Sequence, residues 1–330
     1  MTNELFSAFQ DVSAAGADAK RIAVREYDPA AATGKHQFVL FLKPEATDIG
    51  NGVNLDKVLE LLTERLSAFD VEIGAALALN GPYLAAHRLM DQHYGVINAI
   101  SKGGYDAISE GAGAKLAADF GELIEAGAPV LGGHQFIDAN PEFSALALST
   151  INDNIGTIKL AGGTYVLKID LLGQPQLILN PFHPYQLVPF TAPGKGIVVL
   201  EGISSTPWAD LRGKLAGTTN PLNAAEGSIR QRFLAHQSDL GLAAVNQGAN
   251  GVHLSAGPLE GMVEVQRFFS EHESGNQLAW SDTSFGQLLK SKGASADRVA
   301  ELAGNPDIGG ESAFDLTEEI DAEASAAKLV

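Results

Sequence analysis

The chain has 330 residues, 45% of them hydrophobic and 19% charged, and a formal net charge of −18. That is a globular composition, long enough for one large domain or two small ones. The negative balance argues against a nucleic-acid partner, which needs clustered Lys and Arg, though a few local cations can still hold a small anionic ligand. The absence of cysteine removes disulfides, thiolate nucleophiles and cysteine-bound zinc.

Residues 1–36 read as an irregular or helical lead-in. Q-F-V-L-F-L-K (37–43) is a short apolar run stopped by Pro44, which predicts a buried strand. From Asn54, apolar residues at 55, 58, 59, 62, 66 and 69 recur at helical spacing. V-E-I-G-A-A-L-A-L (71–79) predicts a second strand, and Pro82 to Tyr94 a second helix. A Gly/Ala-rich helical stretch (105–127) leads into I-K-L, T-Y-V-L-K-I-D-L-L and P-Q-L-I-L, a strand meander with tight turns. G-I-V-V-L-E-G (196–202) is another buried strand, and P-L-E-G-M-V-E-V-Q-R-F-F (258–269) an amphipathic helix. Beyond about 304 the chain is Gly-rich and then acidic. Asp315, Glu318, Glu319, Asp321 and Glu323 have no basic residue among them, so disorder or a loosely docked helix is expected.

No run approaches the roughly 18 apolar residues of a membrane span, so no membrane association is expected. The first ten residues, M-T-N-E-L-F-S-A-F-Q, lack the basic and apolar regions of a secretory leader, and a cytoplasmic location is the expectation. T-G-K-H (33–36) fails as a phosphate loop. Pro29 holds the place of its first glycine, and no Ser or Thr follows the lysine. The eight histidines form no i, i+4 pair, so no histidine-ligated metal is expected.

Several separate motifs nevertheless occur in one order. They are F-L-K-P-E-A-T-D-I-G, Q-H-Y, I-V-V-L-E-G, G-T-T-N-P, E-G-S-I-R, N-G-V-H-L-S, and then a helix holding Glu264. Their order resembles the nucleoside-diphosphate kinases. The similarity covers roughly 37–100 and 181–270, about half the chain, and 101–180 reads as an inserted α/β subdomain, with 271–330 as a C-terminal extension. The resemblance implies an α/β (α+β) fold, a ferredoxin-like antiparallel sheet with helices packed on one face. It implies transfer of a γ-phosphoryl group between nucleoside tri- and diphosphates in a ping-pong cycle. Mg2+ would travel with the nucleotide phosphates, and the subunits would form a homo-oligomer.

Each motif then carries an implied role. His253 matches the histidine that becomes phosphorylated, and a neutral imidazole suits this because its lone pair needs no prior deprotonation. Glu264, eleven residues on, matches the carboxylate that takes the other ring N–H. Lys43 matches a lysine reaching sugar and phosphate, and Tyr94 a tyrosine near the histidine. Arg230, Arg212 and Thr219 match phosphate contacts, with Asn220 and Pro221 shaping the turn. Asn250 and Ser255 match loop residues around the ribose and the histidine, and Phe182 the aromatic on which the base stacks.

Two departures stand out. The family pattern runs histidine, glycine, serine, aspartate, serine, whereas this chain has His253, Leu254, Ser255, Ala256 and Gly257. Leu254 is expected to crowd the histidine, and Ala256 removes a carboxylate. Arg212 also stands seven residues before Thr219, with Gly213 in the family's arginine position and Lys214 as a possible substitute. These departures keep a second reading open, a nucleotide-binding regulatory module of the same fold without turnover.

Overall fold

A computed structural model describes residues 1–330. The chain divides into two compact units, Met1–Leu89 with Phe190–Val330, and Met90–Pro189.

The first unit contains helix α1 (Thr2–Ala14) and strands β1 (Arg21–Arg25) and β2 (His36–Leu42), then helix α2 (Leu55–Ala68) and strand β3 (Glu72–Asn80). After residue 190 come β4 (Gly196–Ser204), α3 (Ile229–Ala235), β5 (Val252–Leu254) and α4 (Pro258–Phe269). The sheet order is β1-β3-β4-β2-β5, antiparallel throughout. Without the edge strand β1, the four remaining strands lie in the spatial order second, third, first, fourth. Helix α2 joins the first two and α3 the last two, which is the split β-α-β arrangement of the ferredoxin-like fold.

Residue alternation explains the layers. Strand β2 is central and buried on both faces, so it reads as a continuous apolar run. Phe38, Leu40 and Leu42 enter a core with Val58, Leu59 and Leu62 of α2. Phe41 points the other way, with its ring centroid 5.6 Å from that of Phe268 in α4. Gly202 of β4 lies flat against Phe38, and a Cβ there would come within 2.3 Å of the ring. Asn54 caps α2 by accepting the Lys57 N–H. The crossover helices thus cover one face, while α4 covers the other.

The outer side of α4 is buried in turn. Leu259, Met262 and Val263 pack with Phe285, Leu289 and Leu302 of the C-terminal extension. The acidic tail is neither disordered nor loose. It forms the helices Ala313–Thr317 and Ala322–Leu329, and Ala326 and Leu329 are buried in that cluster. Its counter-charges come from distant sequence. Arg212 meets Glu318 and Glu319, and Lys292 meets Glu323, while the His36 ring, its pKa lowered by burial, lies beside Asp321.

Two further expectations change. The lead-in supplies a helix and an edge strand to the sheet. The helix expected over Pro82–Tyr94 is broken into Gly81–Ala86 and Leu89–His93, with Arg88 between them at φ 54°. A left-handed arginine has no sequence signature, unlike glycine.

The Met90–Pro189 unit has its own four-stranded sheet, in the order Val130–Gly132, Gln174–Leu179, Thr164–Leu171, Ile158–Ala161. The last three strands are the expected meander, and the first is an added parallel strand. One face packs Ile100, Leu116 and Leu177, and the other Phe136, Leu148 and Ile178. Ile100 is thus core to this unit and His183 is fully buried in it, so the unit extends beyond 101–180 at both ends. No helix of the chain is long and apolar enough to cross a membrane.

Because each unit owns a core, joining Leu89 to Phe190 by a short flexible linker should give a soluble protein that melts cooperatively. Closing a shorter loop changes the entropy only slowly with length. Non-cooperative melting with loss of near-ultraviolet circular dichroism would show that the first unit needs the second to fold.

Candidate active site

Strand β5 pairs with β2 in the register Leu42↔Val252, Phe41↔His253 and Leu40↔Leu254. Strand alternation then separates the side chains. Val252 and Leu254 enter the core shared with α2 and α3. His253 emerges on the opposite face, stacked on Phe41 with centroids 4.6 Å apart and planes 21° apart. Leu254 therefore does not crowd the imidazole, contrary to the sequence expectation. A period of two residues sends it to the other side of the sheet.

Glu264 reaches back from α4 to this histidine. Its two oxygens lie 2.8 and 3.0 Å from His253 Nε2, and its side chain is fully buried. The Ser255 hydroxyl donates to Glu264 Oε2 and accepts the Val39 N–H at 2.9 Å. An ionised carboxylate only accepts, so Nε2 must carry the proton and Nδ1 the lone pair. His253, Glu264 and Ser255 thus form one hydrogen-bonded group, with the imidazole partly exposed at 16%.

Lys43 follows β2, and Pro44 opens the short helix Pro44–Thr47. The Lys43 ammonium donates to Asn250 Oδ1 at 2.8 Å, and the Asn250 amide donates to the Thr219 carbonyl at 3.2 Å. Burial lowers the Lys43 pKa and Arg230 adds to the shift, while Glu45 opposes both. Three motifs far apart in sequence meet through these contacts. Glu45, which drew no attention in the sequence, accepts the Gly251 N–H at 3.0 Å, and the Gly251 carbonyl accepts the Lys43 N–H at 3.0 Å. Its adjacency to Lys43 in K-P-E was the available signal.

The arginines are engaged differently from the expected phosphate contacts. Arg230 is almost wholly buried and donates to the carbonyls of Gly217 and Val252 at 2.5 and 3.0 Å. Burial, with help from Arg212, brings its pKa down to about 10. Arg212 lies in a π-helical turn, Leu211–Ala216, closed by Gly217 N–H on the Arg212 carbonyl at 3.0 Å. A π turn takes in one more residue than an α turn. The Arg212 guanidinium donates to the Leu254 carbonyl at 2.7 Å and pairs with Glu318 at 3.4 Å. Lys214 is exposed and pairs with Asp210 at 2.8 Å, so it does not replace either arginine.

Tyr94 and Phe182 both belong to the Met90–Pro189 unit. Tyr94 precedes the helix Gly95–Gly103 and meets the His93 ring edge-on at 4.6 Å. Phe182 lies edge-on to Tyr165 at 5.8 Å.

Gly251 joins the two halves of this site at φ 77°, where a Cβ would come within 2.6 Å of the Phe233 ring. Gly251→Ala should therefore cost about 2 kcal/mol or more, since left-handed strain alone is about 1–2 kcal/mol. Urea unfolding would measure it. An unchanged midpoint would mean that the loop relaxes around the new methyl group.

No family model matches the chain. A curated nucleoside diphosphate kinase from Methylobacterium sp. (strain 4-46) is 39% identical over 93 residues, covering 28% of this chain and 56% of that protein. Another from Methylobacterium nodulans is 37% identical over 95 residues, covering 28% and 58%. The chain thus spans little more than half the length of these relatives. A crystal structure of an NDP kinase from Pyrobaculum aerophilum is similar at 20% identity and a TM-score of 0.33, covering 72% of this chain and 98% of that one. Identity near two residues in five makes the matched stretch of this chain similar to the nucleoside diphosphate kinases over little more than half of their length.

Proposed function

We infer that the chain transfers the γ-phosphoryl group of a nucleoside triphosphate to a nucleoside diphosphate through a phosphohistidine on His253. The observation that carries this reading is the buried Glu264 carboxylate on Nε2, which orients the ring and assigns the nucleophile's role to Nδ1. Attack of Nδ1 on the γ-phosphorus forms the N–P bond and breaks the bond to the β–γ bridging oxygen. The diphosphate then leaves. Glu264 steadies the cationic ring so formed, and a second diphosphate reverses the step. The nucleotide enters as its Mg2+ complex, the usual means of neutralising charge in phosphoryl transfer. Lys43 and Asn250 are the groups proposed to meet phosphate and sugar, supported by their placement beside Thr219. Cytoplasmic location and homo-oligomeric assembly complete the proposal, and light scattering after size exclusion tests the assembly.

One observation favours the second reading, a nucleotide-binding module without turnover. Arg212 and Arg230 both spend hydrogen bonds on backbone carbonyls, and Arg212 also faces tail carboxylates. Phosphoenzyme formation separates the two readings. With γ-labelled ATP, Mg2+ and no acceptor, the wild type should trap one acid-labile, base-stable label per active subunit. Any nucleoside diphosphate should discharge it. His253→Ala should abolish labelling while nucleotide still raises the melting temperature, because the nucleophile supplies chemistry more than affinity. Binding of ATP with no labelling would leave the module reading standing.

Glu264→Gln should slow labelling by about 10–100-fold without abolishing it, since an amide can still accept from Nε2 but carries no charge for the cationic ring. A rate equal to wild type would remove Glu264 from the mechanism.

A further inference from the structure

Helix α4 carries a second carboxylate one turn before Glu264. Glu260 and Glu264 are four residues apart and share a helix face, to which Arg267 adds a guanidinium three residues further on. Glu260 Oε2 accepts the backbone N–H of Ala256, in the loop between β5 and α4. The Ala256 carbonyl accepts the Glu319 N–H at 2.9 Å. The peptide groups flanking Ala256 are therefore held on both sides. The residue before it is Ser255, whose hydroxyl holds Glu264.

Charge is concentrated here. Facing Glu260 are Glu264 and Arg267 from its own helix and Arg212 from the π turn. Arg212 is itself engaged by Glu318 and Glu319 of the tail. Burial and the neighbouring Glu264 push the Glu260 carboxyl up to about 8, against the opposing pull of the Ala256 N–H, Arg212 and Arg267. Burial also lowers Arg267, with both carboxylates opposing that shift. No motif of the sequence marked Glu260, and the removal of a carboxylate at Ala256 made this position look uncharged. The structure returns a carboxyl group to it from the helix.

The geometry points to Glu260 as a positioning residue for the His253–Glu264 pair, holding the 255–257 loop through Ala256 and setting how much negative charge stands behind the imidazole. Near neutral pH the group is mostly protonated, so Glu264 alone supplies that charge. Above about pH 8 Glu260 ionises and a second charge appears. That second charge stands behind the Glu264 carboxylate that holds the imidazole. The rate consequence rests on the phosphohistidine reading, whereas the titration does not. The folded pKa lies above the unfolded value of about 4.3, so the folded state keeps a proton that the unfolded chain has lost between the two. Stability from this group therefore falls as pH rises through that window.

The test uses the full-length wild type, Glu260→Gln and Glu260→Ala. Nitrogen-15 NMR of the His253 ring should show a second inflection near pH 8 in the wild type, absent in Glu260→Gln. The melting temperature of the wild type should fall relative to Glu260→Gln between about pH 6 and 8.5. Single-turnover labelling should show the same inflection in the wild type and lack it in Glu260→Gln. Glu260→Ala, lacking the acceptor for Ala256, should label about tenfold more slowly at pH 7, and Glu260→Gln should recover most of that loss. An inflection that persists in Glu260→Gln, or Glu260→Ala labelling as fast as wild type, overturns the proposal. If the wild type never labels, the phosphohistidine reading fails, while the ring inflection and the melting difference still decide the role of Glu260.

Discussion

The arrangement around the candidate site depends on one constraint, a carboxylate with no solvent exposure. Leaving an ionised group in such a place unpaired would cost several kcal/mol, so its neighbours have to be organised around it. Glu264 receives the His253 imidazole and the Ser255 hydroxyl, and Ser255 is tied in turn to the Val39 backbone of the central strand. The requirement fixes three elements at once: strand β5 at its register on β2, the loop that follows it, and the pitch of α4. The open, glycine-rich character of N-G-V-H-L-S-A-G then has a cause. Gly251 turns left-handed against Phe233, and Gly257 packs where a Cβ would come within 2.3 Å of the Thr317 carbonyl. Small residues flank His253 because its backbone runs against the Phe233 ring on one side and the Thr317 carbonyl on the other.

Much of this was legible in the sequence. The two buried strands read as unbroken apolar runs because the central positions of the sheet are covered on both faces. The His253–Glu264 contact came from the resemblance to the nucleoside-diphosphate kinases, and the strand, short loop and helix that follow one another here bring the two side chains together. Leu254 was misjudged from the same stretch. A list of residue types ignores the alternation that sends position 254 into the helical core. Arg212 stands one residue off the family's spacing, and it lies in a π turn, which takes in one more residue than an α turn. The break at Arg88 and the docking of the tail were not legible. The first depends on a non-glycine residue adopting a left-handed conformation, and the second on Arg212, about a hundred residues upstream of the carboxylate it meets.

The arginines show how positive charge is divided between structure and ligand in an acidic chain. A guanidinium donates in a planar fork, and a fork bound to two carbonyls is a strong cross-link. Arg230 uses its fork to join the Gly217 turn to strand β5. Arg212 joins the other end of that strand, at Leu254, to the tail. Both therefore brace the strand that carries His253. Lys43, a point charge on a flexible stem, is the cation left beside Asn250, and its ammonium can turn toward an arriving phosphate without dismantling the fold.

The sheet's second face has a polar centre that ties the C-terminal extension to it. Glu201 of β4 is fully buried and accepts from Gln37 Nε2 at 2.6 Å and from the Ala75 N–H at 2.8 Å. Burial raises its pKa, and the two hydrogen bonds offset part of that rise. Gln37 is bonded at both ends of its amide. Its nitrogen also meets Tyr27 Oη at 3.0 Å, and its oxygen accepts the Ser284 N–H at 2.8 Å. Tyr27 donates in turn to the Asp282 carbonyl at 2.6 Å. A single glutamine side chain therefore connects the lead-in, the central strand, its neighbour and the extension. A Glu at 201 with no cation beside it is tolerable only because Gln37 is held in one orientation, and the extension supplies that hold. Residues 280–284 thus help to satisfy a polar group under α4, the same helix that presents Glu264 to His253. The extension belongs to the machinery that fixes α4, which is why its acidic sequence folds instead of trailing into solvent.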